Sequence, residues 1–231
     1  MAVLLVLLLA APPAVNKVPN VFPLLKTGDT KAALSLLKEI GTHKKNHEEA
    51  NALVSLIKTR KVKKPPEVME ACFLALKGIG SRKVTKKLIG LFKHSTLRKI
   101  TAVRVGICRA LGGSADPAAV EALIRRMRDK EDQVIAAAAE AAGAYRYQTA
   151  AIRKDLFKTI LNIYESTWNL KNSVKPDLKI ARARADRKWE IIERSMERSM
   201  QLLSNITQND PPAWRRWWNK NKRKKWVELE N

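Results

Sequence analysis

Apolar residues recur along this chain at three- and four-residue steps, with charged residues between them. In the stretch 116–143, Leu123, Ile124 and Met127 follow this spacing, which places their side chains on one face of an α-helix. The pattern predicts a helix over 117–128, followed by an alanine-rich helix that ends in glycine.

The ends of these two helices also carry recognisable signals. Asp116 is predicted to be an N-cap, because its carboxylate can accept hydrogen bonds from free N–H groups of the first turn. Pro117 then occupies the first helical position, where its missing N–H costs nothing. Asp132 is predicted to cap the second helix, and Gly143 to end it.

An apolar helix that ends in glycine occurs four times. The four glycines are 39, 32 and 31 residues apart, a loosely kept period typical of stacked helical hairpins. After each glycine a second amphipathic helix is predicted. The glycines are Gly41, Gly80, Gly112 and Gly143, and the second helices are predicted at 47–59, 84–93, 117–128 and 151–168.

The pattern D-P-x-x-V-x-x-L-I beginning at Asp116, beside an alanine-rich helix ending at Gly143, resembles the HEAT repeat. The resemblance covers residues 29–168. It implies an all-α fold: a short right-handed α-solenoid of about four helical hairpins, with a long C-terminal capping helix and a Trp-rich basic tail. It implies little about function, because such solenoids serve many unrelated roles.

The chain divides into four predicted parts. These are a signal peptide at 1–14, HEAT-like repeats at 15–168, a linker and long capping helix at 169–210, and a Trp/Lys-rich tail at 211–231. The segment 178–206 carries one apolar stripe. That stripe is interpreted as solenoid core or cap, with a dimerisation surface as the alternative.

The balance of charge is strongly basic. The 231 residues include 45 Lys and Arg against 22 Asp and Glu, which gives a net charge of +23. This excess favours an anionic partner or surface. Cations that recur at the starts of successive second helices would stack into one stripe, although each alone could be a solvated position. The residues predicted to bind an anion or partner are Lys61, Lys63, Lys64, Arg82, Lys83, Lys86, Lys87, Arg125, Arg126, Arg215, Arg216, Trp217 and Trp218.

The tail contains Trp214, Trp217 and Trp218, which share one face of a predicted helix opened by Pro212. Three interpretations remain open: the tryptophans dock on the last repeat helices, they lie in an anionic membrane surface, or they stack on single-stranded nucleic acid. The W-R-R-W-W-N-K-N sequence is similar to the end of exported bacterial HEAT-repeat proteins of unassigned function.

The N-terminal run 2–11 is purely apolar, and its ten residues are too few to span a bilayer, which takes about 20. It is typical of the central part of a secretory signal, although no Lys or Arg precedes it. We expect export to the periplasm or cell envelope. A buried first helix, or a cytoplasmic protein, is the alternative.

Few residues suggest chemistry. His43 and His47 could share a helix face as metal ligands, but Lys44 and Lys45 separate them, so no metal site is predicted. Cys72 and Cys108 could form a disulfide in neighbouring repeats; two buried thiols fit the geometry better.

No nucleophile–base–acid set or phosphate-binding glycine loop is visible, so no enzyme activity and no cofactor is predicted. HEAT-like DNA glycosylases are a remote alternative. The sequence therefore predicts a non-enzymatic binding or scaffold protein for a protein or acidic-polymer partner in the cell envelope. A nucleic-acid-binding basic solenoid is the alternative. The oligomeric state is left open.

Overall fold

The computed structural model describes residues 16–59, 66–173 and 175–226. Within these ranges the chain forms eleven α-helices and short 3-10 turns, without a β-strand, which confirms the all-α class. The predicted leader at 1–14, and Lys61, Lys63 and Lys64, lie outside the described residues. The helices are α1 (Val21–Thr27), α2 (Thr30–Ile40), α3 (His47–Lys58), α4 (Pro66–Ile79), α5 (Arg82–Leu91), α6 (Thr101–Ser114), α7 (Val120–Arg126), α8 (Asp132–Gly143), α9 (Ala150–Lys171), α10 (Lys179–Ser204) and α11 (Pro211–Asn221).

The helices pack in two layers. Helices α2, α4, α6, α8 and α10 each contact the next member of the series and form what we call the first layer. Helices α3, α5, α7, α9 and α11 form the second layer; α5 meets the 3-10 turn Pro117–Ala119 that opens α7. Consecutive helices therefore alternate between the layers, and α1 packs on α2 at the N-terminal end.

Short polar side chains begin many of the helices. The side chain of Asn46 accepts from the backbone N–H of Glu49, and Ser81 does the same for Val84. Asp116 accepts from Ala118 at 2.9 Å, so the predicted N-cap is confirmed. Each cap satisfies an N–H group that has no partner within its own helix.

Two predicted helix ends are wrong. Asp132 does not cap α8: the N-cap is Glu131, whose N–H donates to the carboxylate of Asp129. Asp132 is instead in the first turn, where its charge favours the helix dipole. Gly112 does not end its helix, because α6 continues to Ser114.

The glycine at position 112 instead permits close packing. A Cβ built there would lie 3.1 Å from the Cα of Ala141 in α8. A side chain would thus force α6 and α8 apart. The contact between α2 and α4 is closer still: a Cβ on Gly78 would lie 2.0 Å from the carbonyl oxygen of Gly41. Small residues hold the first-layer helices at short range.

The C-terminal helices extend both layers. Helix α10 packs against α8 and α9, and the ring of Trp189 stacks on Tyr164 with centroids 4.6 Å apart. The Ser199 hydroxyl donates to the Ala139 carbonyl at 2.7 Å. Helix α11 packs on α9, so the long helix and the tail together cover the C-terminal end of the array.

Candidate anion-binding surface

Helix α5 presents four of the predicted anion-binding residues, and all four are exposed. On the same helix Val84, Leu88 and Leu91 are buried, so the apolar stripe turns the basic positions toward solvent. Helix α5 contains no carboxylate to neutralise them. The four residues are Arg82, Lys83, Lys86 and Lys87.

Charge is divided unequally between the layers. The second-layer helices α3, α5, α7, α9 and α11 together carry fourteen Lys and Arg against five carboxylates. The first-layer helices α2, α4, α6, α8 and α10 carry twelve against nine, of which α10 alone supplies seven and four. The net positive charge is therefore larger on the second layer, +9 against +3.

Two arginines of α7 have different surroundings. Arg125 is exposed and forms an ion pair with Glu121 one turn earlier. Arg126 is half-buried, with its guanidinium 5.0 Å from the ring centroid of Phe92 and 3.1 Å from Asp129. Arg126 is thereby engaged in holding α7 against α5, whereas Arg125 stays accessible at the surface.

Asp129 organises a small charged network under this surface. It pairs with Arg126 and also with Arg104 at 3.2 Å, and both Arg104 and Asp129 are almost fully buried. Arg104 donates in addition to the carbonyl of Arg98 at 2.8 Å. The buried charges are thus compensated by partners, as burial in a low-dielectric interior requires.

The tail tryptophans lie against α9. The side chain of Trp214 is fully buried and that of Trp218 is 7% exposed. Both rings contact Phe157, with centroids 5.6 and 5.4 Å away, and Trp217 and Trp226 complete the cluster. The predicted contact residues Trp217 and Trp218 are therefore largely occupied in holding the tail to the array.

The two tail arginines differ in exposure, as Arg125 and Arg126 do. Arg215 is half-buried and donates to Glu165 at 2.8 Å and to Asn162 at 2.8 Å, both on α9. Arg216 is exposed and points to solvent beside Lys220. Of the four residues predicted for the tail site, only Arg216 is fully available to a partner. Four cations that were not predicted, Lys220, Lys222, Arg223 and Lys225, are exposed near it in the tail.

Shallow clefts connect the second-layer helices. A depression of 260 Å³ between α5 and α7 is lined by Lys93 and Arg125, among others. Another, of 250 Å³, lies between α7 and α9 and is bordered by Arg128 and Lys158. These clefts connect α5, α7 and α9, and each also contains one carboxylate, Glu121 in the first and Asp155 in the second.

His43 and the two cysteines lie in contacts or burial typical of structural residues. His43 lies 2.8 Å from buried Glu49, and among the described residues no group of three or more His, Cys, Asp or Glu could hold a metal ion. Cys72 and Cys108 are both buried and free. Burial raises the pKa of each thiol to about 12, which leaves the reactive thiolate form scarce at neutral pH.

Sequence reasoning missed three arginines on the first-layer side: Arg146, Arg194 and Arg198. They line a common depression, although Arg146 is about fifty residues from the other two. The four-residue spacing of Arg194 and Arg198 places both on one helix face, and this was the only signal available.

None of the helices in the described part of the chain is both long and apolar enough to cross a bilayer. Comparison with protein-family models gives no match, and no curated protein matches this chain.

Proposed function

We propose that this protein is a short α-solenoid of HEAT-like hairpins that performs no reaction and binds an acidic partner through its second layer. Four hairpins, α2–α3 to α8–α9, make up the array, and α10 with α11 forms its C-terminal cap. The alternation of consecutive helices between two layers supports this architecture. In stacked hairpins each unit buries the apolar face of its neighbour.

The unequal charge of the two layers carries the functional proposal. Solubility alone does not require fourteen cations against five carboxylates in one layer. A polyanion laid across α5, α7, α9 and α11 would meet positive charge on each helix. The partner is an acidic polymer or an acidic protein surface.

A charge-reversal experiment tests this assignment. The variant K83E/K86E/K87E places three carboxylates on α5, and K26E/K31E/K38E makes the same net change on α1 and α2. All six positions are exposed, so both variants are expected to fold. Binding of fluorescent poly(L-glutamate) would be followed by anisotropy at low and moderate salt.

The α5 variant is expected to bind about ten- to a hundredfold more weakly, because exposed charge pairs contribute about 0.5–1 kcal/mol each. The affinity of the control variant should stay within about threefold of that of the wild type. Its substitutions lie away from the proposed surface, and salt screens their long-range effect. Equal losses in both variants would show that binding follows net charge alone and would contradict the proposed surface.

Nucleic acid is the second candidate, favoured by the row of cations that crosses successive helices. A phosphate backbone would release about 0.7 counterions per neutralised phosphate of a single strand. The affinity for a 20-nucleotide single strand should therefore fall steeply with salt. A flat dependence, or weaker binding than poly(L-glutamate) of equal charge, would reject this candidate.

The location in the cell envelope is also a proposal, motivated by the apolar run at 2–11. An anionic membrane surface receives less support as the partner of the tail, because the tryptophans that would lie among headgroups pack on Phe157. The mature N-terminus decides the location: mass spectrometry should find the first 11–16 residues removed in an exported protein. An intact Met1 in the cytosol would contradict export.

A further inference from the structure

A continuous groove follows α10 on the first-layer side of the protein. Three depressions of 560, 680 and 500 Å³ lie along it. The first two share Glu140 and Ser195, and the last two share Arg198 and Leu202. The three depressions therefore adjoin, with α10 as one wall and helices α4, α6 and α8 as the floor and opposite wall.

One end of the groove is apolar. Leu74 of α4 is 54% exposed and Ile191 of α10 is 42% exposed, two of the four exposed large hydrophobic side chains among the described residues. Val105 and Ala136 lie between them in the same depression. Exposed apolar side chains that converge on one concavity mark a binding surface, whereas single exposed leucines do not.

The other end of the groove is basic. Arg146, Arg194 and Arg198 line it, and Glu140 lies at its boundary with the apolar end. No Asp or Glu in the described part of the chain lies within ion-pair distance of the three arginines. Arg109, nearer the apolar end, differs: it pairs with both Glu70 and Glu140. Unneutralised guanidinium groups are thus concentrated at one end.

The sequence of α10 explains why the arginines of one repeated motif line the groove and its glutamates do not. The motif E-R-S-M occurs twice in succession at 193–200, and residues four apart share a helix face. Met196 and Met200 are buried in the core, and Ser199 contacts α8. Burial raises the pKa of Tyr164 on α9, and the nearby carboxylates of Glu197 and Glu193 raise it further. The arginines of the motif line the groove. Glu193 and Glu197 thereby lie near α9 and do not line the groove with the arginines.

We propose that this groove binds an acidic peptide segment of a partner protein, with apolar side chains over Leu74 and Ile191 and carboxylates at Arg146, Arg194 and Arg198. From Ile191 to Asn205 the groove follows α10 for about 21 Å, at 1.5 Å per residue. An extended peptide rises about 3.3 Å per residue, so roughly seven residues span it. Guanidinium groups pair well with carboxylates through two parallel hydrogen bonds.

The test uses labelled octapeptides and the full chain. The probe Leu-Leu-Ser-Gly-Ser-Glu-Glu-Glu and its reverse cover both directions of binding, and a peptide with Lys in place of Glu is the charge control. The variant R194E/R198E removes the basic end. Its matched control, R184E/R187E, makes the same net change at exposed positions of the same helix that do not line the groove.

We expect one of the acidic peptides to bind to the wild type. The R194E/R198E variant should weaken that binding at least tenfold, since it removes two charged hydrogen-bond donors and puts carboxylates in their place. The R184E/R187E variant should stay within about threefold of the wild type. The variant L74S/I191S should weaken binding roughly tenfold through lost apolar contact. The Lys peptide should not bind.

Three results would overturn the proposal: no binding of either acidic peptide to the wild type, equal losses in the two arginine variants, or an oligonucleotide that binds as tightly and responds to R194E/R198E in the same way. The last would assign the groove to nucleic acid. Because the groove and the basic second-layer surface lie on different layers, K83E/K86E/K87E should leave peptide binding nearly unchanged. Failure of one proposal is therefore distinguishable from failure of the other.

Discussion

Substitution of Gly78 by Ala tests whether short-range contact between first-layer helices determines the fold. The new Cβ would lie 2.0 Å from the carbonyl oxygen of Gly41 and 2.9 Å from its carbonyl carbon. An ordinary carbon–oxygen contact is about 3.3 Å, so α4 and α2 would have to separate by roughly 1.3 Å. The obstacle is backbone, which cannot rotate away as a side chain does.

The net effect is a difference between two terms. In a helix interior, Gly→Ala contributes up to about 1 kcal/mol of stability through backbone entropy. Overpacking of a well-packed contact costs about 1–3 kcal/mol, and more where backbone must shift. Because backbone itself must shift at Gly78, we take a cost of about 2–4 kcal/mol, which leaves a net loss of about 1–3 kcal/mol in the free energy of unfolding for Gly78→Ala.

Gly90→Ala on α5 is the matched control. A Cβ at Gly90 has no heavy atom within 4 Å, so only the entropic gain applies, and the variant should be equal to the wild type or slightly more stable. Urea unfolding followed by circular dichroism would measure both. With an m-value of about 2 kcal/mol per molar urea, the urea concentration at the unfolding midpoint of Gly78→Ala should be lower than that of the wild type by roughly 0.5–1.5 M. A Gly78→Ala protein as stable as Gly90→Ala would refute the close packing described here.

Three further predictions concern the core. Trp214→Ala should destabilise the protein by about 3–5 kcal/mol, the usual cost of removing a buried aromatic side chain, whereas Trp214→Phe should cost much less; equal losses in urea unfolding would contradict the docked tail. Asp129→Ala should cost about 3–5 kcal/mol, because it leaves Arg104 buried without its carboxylate; a cost below 1 kcal/mol would show that solvent reaches the network. Stability should also fall between pH 9 and 12, since the folded-state pKa values of Cys72 and Cys108 are raised to about 12. The contribution of each thiol is fully present below the unfolded pKa near 9 and is lost at about 1.4 kcal/mol per pH unit above it; replacing both cysteines by alanine should make this decline shallower.

Local features of the helices were predictable because their causes are local. The cap at Asp116 and the start of α3 at His47 follow from residues within one turn of the helix end. The buried face of α10 followed from its apolar stripe, and Trp189, Ile192 and Met196 are indeed buried. Periodicity and capping chemistry suffice for these features.

Features that depend on distant partners were not predictable. A glycine that ends a helix and one that permits close packing look alike in sequence, so the role of Gly112 required its neighbour in α8. The tail sequence predicts that Arg215 binds a partner, but the fold places Glu165, fifty residues earlier in the chain, beside it. Arg146 joins Arg194 and Arg198 only because α8 and α10 are adjacent. Local sequence does not contain these pairings.

The unequal charge of the two layers makes the molecule electrostatically asymmetric. A protein with more positive charge on one layer experiences a torque near a negatively charged surface. This torque turns the more positive layer toward the surface. The second layer would then be hidden in the contact, and the groove beside α10 would face the surrounding solution. Adsorption would therefore favour one orientation of the protein, with the groove still open to a second molecule.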